Sequence, residues 1–119
     1  MEASITLKKV GKLIGDKTIL AGLSFGIERG SLVAIVGLND SGKSVLLKLL
    51  SGYENPNYGQ VFIQGLDMNK RRSETRKLLG YVSFENDLDP WLTLQQNIEF
   101  NAKLYSVEKS VFEQRLKKY

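Results

Sequence analysis

Apolar and polar positions change period several times along the chain, and each change predicts an element. Ile5 to Val10 (ITLKKV) alternates, the pattern of a half-buried strand. Gly15-Asp16-Lys17 is turn chemistry, and Leu23 to Glu28 alternates again before Arg29-Gly30. These two runs predict hairpin-like strands of an antiparallel sheet. Ser31 to Val36 is different: it is an apolar, β-branched run of strand length. Val45 to Leu50 has helical spacing, and Ser51-Gly52 stops it with glycine at C′. Asn55 to Gly59 is a turn, Gln60 to Gln64 a strand that Gly65 ends. Ser73 to Leu79 predicts a short basic helix closed by Gly80, and Tyr81 to Phe84 a second strand of buried type. Thr93 is placed to cap a helix over Leu94 to Tyr105, and Ser106 or Ser110 to cap a last one. No internal repeat or low-complexity segment interrupts this order.

Between the apolar strand and the first helix stand Gly37, Leu38, Asn39, Asp40, Ser41, Gly42, Lys43 and Ser44. The octet fits G-x-x-x-x-G-K-[ST], a loop that binds the phosphates of a nucleoside triphosphate. A glycine-rich connection containing Lys-Ser by chance is the bland reading, and the strand–loop–helix context weighs against it. Glycines at 37 and 42 let successive N–H groups turn into one concavity where a side chain would block the approach. The helix that follows adds its N-terminal dipole and unpaired donors. Lys43 is expected on the β- and γ-phosphates, and the Ser44 hydroxyl on Mg²⁺, a cation that takes oxygen ligands. The candidate nucleotide-binding residues therefore run from Gly37 to Val45. Asp40 is unusual, because a carboxylate beside phosphates is repulsive by about 1 kcal/mol at surface-like dielectric. It is expected to face solvent or a partner subunit.

Composition narrows the chemistry further. With 119 residues the chain is one small domain or a piece of a larger one. It has no cysteine and no histidine, which excludes disulfides, thiolate or zinc–histidine sites and any serine–histidine pair. The net charge of +4 is modest. Its two basic clusters, Lys70-Arg71-Arg72 with Arg76-Lys77 and Arg115 with Lys117-Lys118, read as solvated helix faces rather than a nucleic-acid patch. No run reaches the about 18 apolar residues needed to span a bilayer, and Met1 to Ser4 does not resemble a signal peptide. A cytosolic location without membrane insertion is expected.

With these elements in order, residues 4–119 resemble the ATP-binding subunit of ABC transporters, in its N-terminal half. Gly30 lies seven residues before Gly37, as in that family. Leu49-Leu50-Ser51-Gly52, then Pro56, Gly59 and Val61 to Gly65, are similar to its "L-x-G … P-x-x-G-x-V-x-x-x-G" stretch. Gly80-Tyr81-Val82, then Leu92-Thr93-Leu94 and Asn97-Ile98, are similar to "G-Y-V-x-Q … L-T-V-x-E-N". The resemblance implies an α/β P-loop NTPase fold of ABC ATPase type. It would comprise an antiparallel β part (1–30), a nucleotide-binding core with a partial parallel sheet (31–88) and the start of a helical subdomain (89–119). It also implies ATP and Mg²⁺ as cofactors, a second ATP-binding subunit as dimer partner, and transmembrane subunits whose transport ATP hydrolysis drives from the cytoplasmic face. Leu92 to Asn97 with Leu104-Tyr105 is worded more like export-type subunits than importers.

Two positions depart from the family. Its adenine-stacking aromatic corresponds to Ile14 here, with no aromatic from Gly11 to Lys17. Its metal- and water-reaching glutamine corresponds to Phe84, which has no oxygen to offer; Glu85 serves only if the strand end shifts by one residue. The family's signature segment, acidic strand and switch histidine would follow residue 119, so the 119 residues alone are expected to be inactive. A soluble ABC-type ATPase acting on ribosomes or nucleic acid, and a degenerate regulatory nucleotide site with slow hydrolysis, are the competing readings. Leu88 to Trp91 is either a docking loop for a partner or a Pro-Trp anchor packed on its own helix.

Overall fold

The opening alternation becomes a long antiparallel hairpin, β1 (Ala3–Ile14) and β2 (Lys17–Glu28), turning at Gly15-Asp16. The structure is a computed structural model that describes residues 3–83 and 88–119. β1 runs well beyond the predicted Val10. The register slips between Leu7 and Val10, where Lys8 and Lys9 are both exposed, Lys9 has φ 48° and its N–H donates to Ser24 Oγ at 2.8 Å. This is a β-bulge, which inserts a residue, breaks the alternation and lets the strand continue. β1 also pairs antiparallel with β3 (Tyr58–Ile63), from Ile5 opposite Ile63 to Gly11 opposite Tyr58. The two-residue β4 (Leu66–Asp67) completes a sheet of order β2-β1-β3-β4.

The chain divides into two compact units, Met1–Leu78 and Leu79–Tyr119. In the first, Leu7, Val10, Leu20, Val61 and Ile63 of the sheet are buried, as are Leu46, Leu49 and Leu50 of α1 (Lys43–Leu50). Positions 46, 49 and 50 lie on one helical face, and each fully buried leucine contributes about 1.5–3 kcal/mol. Gly52 ends α1 as the sequence predicts. At φ 73° it donates to Leu49 O at 3.2 Å while Tyr53 N–H reaches Lys48 O at 2.9 Å, a Schellman closure. α2 (Arg72–Arg76) is shorter than the predicted 73–79, because Leu78 N–H bonds back to Thr75 O and tightens the end into a turn.

The apolar segments at 31–36 and 81–83 depart from expectation: neither forms a strand, and no parallel pair exists among the described residues. Leu32 and Val36 are almost fully exposed. An apolar, β-branched sequence supplies the potential for a central strand, but a ladder needs neighbours on both sides. None of the described segments provides them.

In the second unit, α3 (Leu94–Leu104) opens with the expected cap. Thr93 Oγ1 accepts from Gln96 N–H at 3.1 Å, and Gln96 Oε1 accepts from Thr93 N–H at 2.9 Å, a capping box. α4 (Lys109–Lys118) is capped neither by Ser106 nor by Ser110; Glu108 takes the position without a side-chain bond. Ser106 is occupied elsewhere. At φ 55° it closes α3, donating to Lys103 O while Val107 N–H reaches Ala102 O. No described helix is long and apolar enough to cross a membrane.

Candidate nucleotide-binding site

The Gly37–Ser44 loop delivers the chain from the apolar segment into the first turn of α1. Gly42 is the N-cap, with φ 96°, and makes no side-chain cap bond. An α-helix leaves its first N–H donors without intrahelical acceptors, so the first turn of α1 has donors to offer an anion. Asp40 also lies in the left-handed region, at φ 62°, and is exposed. At Gly37 the loop curls tightly enough that an added Cβ would stand 2.7 Å from Ser41 Oγ. Ser41 N–H closes the turn onto Leu38 O at 3.2 Å.

Lys43 folds back over this loop. Its ammonium donates to Gly37 O and, at 3.0 Å, to Leu38 O. A lysine has three donors, and two of them meet carbonyls of the loop.

Opposite the loop stands the end of the β1–β2 hairpin. Ile14, Lys17 and Ile19 line one side of a cleft of about 660 Å³, and Asn39 to Val45 line the other. The two sides meet at Gly42, where an added Cβ would lie 3.1 Å from both Ile19 Cγ2 and Leu20 Cδ2. The volume falls within the about 300–1,000 Å³ of small-molecule pockets. Of the residues read from sequence, Ile14, Asn39, Asp40, Ser41, Gly42, Lys43, Ser44 and Val45 share this cleft. Gly37 and Leu38 stand behind it, contributing the carbonyls that hold Lys43. Sequence reasoning missed Lys17 and Ile19. The signal was present: a two-residue turn at Gly15-Asp16 sets Ile14 opposite Lys17, with Ile19 two positions on along the strand. Tyr53 and Tyr58, which could offer a base an aromatic contact in place of Ile14, are not among the lining residues.

Phe84 and Glu85 lie outside the described residues. Trp91 is 92% exposed, so it is no anchor packed on its own helix. The loop beneath it is ordered by Asn97, which is buried; its Oδ1 accepts from Asp89 N–H at 2.7 Å, and its amide donates to Thr93 O at 3.0 Å and Asp89 O at 3.1 Å. In the basic cluster of α2, Arg71 pairs with Glu74 at 2.9 Å and Arg72 donates to Asn55.

Comparison with known proteins agrees with this geometry. The family model described as "ABC transporter" matches residues 20–119. The chain is 34% identical over 113 residues to the sulfate/thiosulfate import ATP-binding protein CysA of Gloeobacter violaceus, covering 95% of this chain and 33% of that protein. It is 31% identical to the Fe(3+) ions import ATP-binding protein FbpC of Vibrio cholerae, covering 94% and 32%. Both are named as import proteins, which does not agree with the export-type wording expected from Leu92 to Asn97. Among solved structures, an ATP-binding subunit of an ABC transporter superposes with a TM-score of 0.78 at 27% identity, over 94% of this chain and 47% of that one. A dimeric ATP-binding cassette in a post-hydrolysis state bound to ADP and Pi gives 0.76 at 25%, over 95% and 54%. The chain spans about a third of the length of these curated relatives and about half of these solved chains. With a family model matched over residues 20–119, and with the fold and loop its members use, the chain belongs to the ABC transporter family, in its ATP-binding part.

Proposed function

We propose that these residues form the phosphate-binding part of an ATP-binding subunit whose binding and hydrolysis of ATP drive transport through partner transmembrane subunits. The observation that carries this reading is the Gly37–Ser44 loop set at the head of α1, facing Ile14 across one cleft. Asn39 to Val45 hold the triphosphate through backbone N–H groups and the Lys43 ammonium, while Gly37 and Leu38 complete the loop behind them. Ser44, exposed on the cleft side of the first turn, is the protein ligand for Mg²⁺. No cluster of three or more acidic, histidine or cysteine side chains able to hold a metal exists among the described residues; a hydroxyl completed by phosphate oxygens and water suits Mg²⁺, which keeps several waters. When bound, that ion neutralises charge on the phosphates. Ile14 gives the base an aliphatic face.

A second ATP-binding subunit is the proposed dimer partner, supported by the dimeric neighbour bound to ADP and Pi. The import role in those relatives' names supports a transmembrane partner; a position on the cytoplasmic face of the membrane is part of the same proposal. The exposed Trp91, on a loop braced by Asn97, suits contact with that partner. The pairing of Arg71 and Arg72 with side chains of this chain supports a solvated basic face rather than a nucleic-acid surface. We propose further that the 119 residues bind ATP without turning it over.

The test is Lys43→Ala. A charge-assisted hydrogen bond is worth about 1.5–3 kcal/mol, so calorimetric titration with Mg-ATP is expected to show affinity reduced at least about tenfold. Equal affinity in the two folded proteins sinks the phosphate-loop assignment.

A further inference from the structure

Asn57 occupies a position that the nucleotide reading leaves unused. It stands at the end of β3, where the ladder to β1 has run from Ile5–Ile63 to Gly11–Tyr58. Its backbone N–H donates to Gly11 O at 2.9 Å, and its side-chain Oδ1 accepts from Leu13 N–H at 2.8 Å. Pro56, the next residue back, has no N–H to continue a ladder. The Asn57 side chain thus replaces a missing strand carbonyl and carries the pairing one step further, to the residue before Ile14.

Three more contacts converge on the same stretch of β1. Lys12 pairs with Glu54 at 3.4 Å and donates to Asn55 O at 2.8 Å, with both charged side chains partly shielded. The Tyr58 ring occupies the space that a side chain at position 11 would need, since a Cβ on Gly11 would fall 1.9 Å from Tyr58 Cζ. Every residue from Gly11 to Leu13 is therefore tied to the 54–58 turn. Ile14, immediately beyond, has no such tie; it is 56% exposed and borders the cleft.

We propose that Asn57 is a positioning residue for the nucleotide: it fixes the end of the β1–β2 hairpin so that Ile14 stands over the cleft at the distance of the base. The proposal rests on the reading of Gly37–Ser44 as the triphosphate site. Asn57 touches no nucleotide. It acts through the Leu13 backbone, and so governs the base end of the ligand while the phosphate end depends on the loop and Lys43.

The two ends can be separated by titrating the protein with ATP and, in parallel, with inorganic triphosphate, both with Mg²⁺. Asn57→Ala is expected to weaken ATP about fivefold, the equivalent of one neutral hydrogen bond, and to leave triphosphate affinity unchanged. Ile14→Ala does the same, and the double variant is no worse than either single one. Asn57→Asp, which keeps an acceptor for Leu13 N–H, retains the wild-type ratio of ATP to triphosphate affinity and covers the case in which Asn57→Ala fails to fold. An unchanged ratio in folded Asn57→Ala overturns the proposal, as does an additive loss in the double variant or a ratio in Asn57→Asp as low as in Ile14→Ala. Failure of the underlying reading looks different: triphosphate binding then survives Lys43→Ala, whatever Asn57 does.

Discussion

Gly42→Ala tests the site at the joint where loop, helix and hairpin meet. Gly42 has φ 96°, and a non-glycine residue in the left-handed region costs about 1–2 kcal/mol. The added methyl would also meet Ile19 Cγ2 and Leu20 Cδ2 at 3.1 Å and Ile19 O at 3.3 Å. Those side chains can yield by a few tenths of an ångström, whereas the Ile19 carbonyl is main chain between the paired Thr18 and Leu20 and yields less readily. Strain and contact together come to about 2 kcal/mol. Relief is available only on the loop side, because Leu46, Leu49 and Leu50 keep the body of α1 buried. The loop therefore turns out of its binding shape while the helix stays, and the cost falls mainly on ligand affinity. Mg-ATP is expected to bind about 30-fold more weakly, with a melting temperature lowered less than 2 kcal/mol would imply. Calorimetric titration and a thermal melt measure the two quantities. Gly65→Ala is the control: φ is 79° there, but nothing lies within 4 Å, so strain alone is added, away from the cleft. Affinity within about twofold of wild type for Gly42→Ala, or an equal loss for Gly65→Ala, refutes the reasoning.

Three further outcomes are expected. GTP and ATP bind within about tenfold of each other, because Ile14 offers only aliphatic contact where an aromatic stack would add about 1–3 kcal/mol; competition titration measures this, and a strong ATP preference contradicts it. In the full-length subunit, Phe84→Gln raises ATP turnover, since positioning and electrostatics supply most of phosphoryl-transfer catalysis; an unchanged steady-state rate argues for Glu85 or another register. The 119 residues by themselves self-associate through the exposed apolar run at Leu32, Val33, Val36 and Leu38; light scattering that reports a monomer at high concentration counts against this.

How far the sequence could be read depended on whether an element's determinants were local. The hairpin was located by its alternation and its turn, though not its full length. The Gly52 stop and the Thr93 cap each rest on contacts within a few residues, and the pattern located both. The loop was legible for the same reason: its glycines and Lys43 act on their own neighbours, down to the carbonyls of Gly37 and Leu38. The segments at 31–36 and 81–83 were misread as strands because a buried strand is defined by partners far away in sequence. Ser106 was misplaced by one helix, since a positive φ at a serine leaves no mark in composition. The other wall of the cleft was half visible. Ile14 came from a resemblance, whereas Lys17 and Ile19 required knowing the hairpin register.

The buried Asn97 amide has a thermodynamic consequence for whatever meets Trp91. By joining Asp89, Thr93 and the helix that follows, it restrains the backbone of that loop before any encounter. Ordering a loop on association costs free energy that reduces affinity, and coupled folding leaves its mark in a large heat-capacity change. Here the indole is already presented from a fixed base. Association at this point should therefore carry a heat capacity set by the apolar area covered and no more, and Asn97→Ala should enlarge it by adding the ordering of residues 89–93 to the same event.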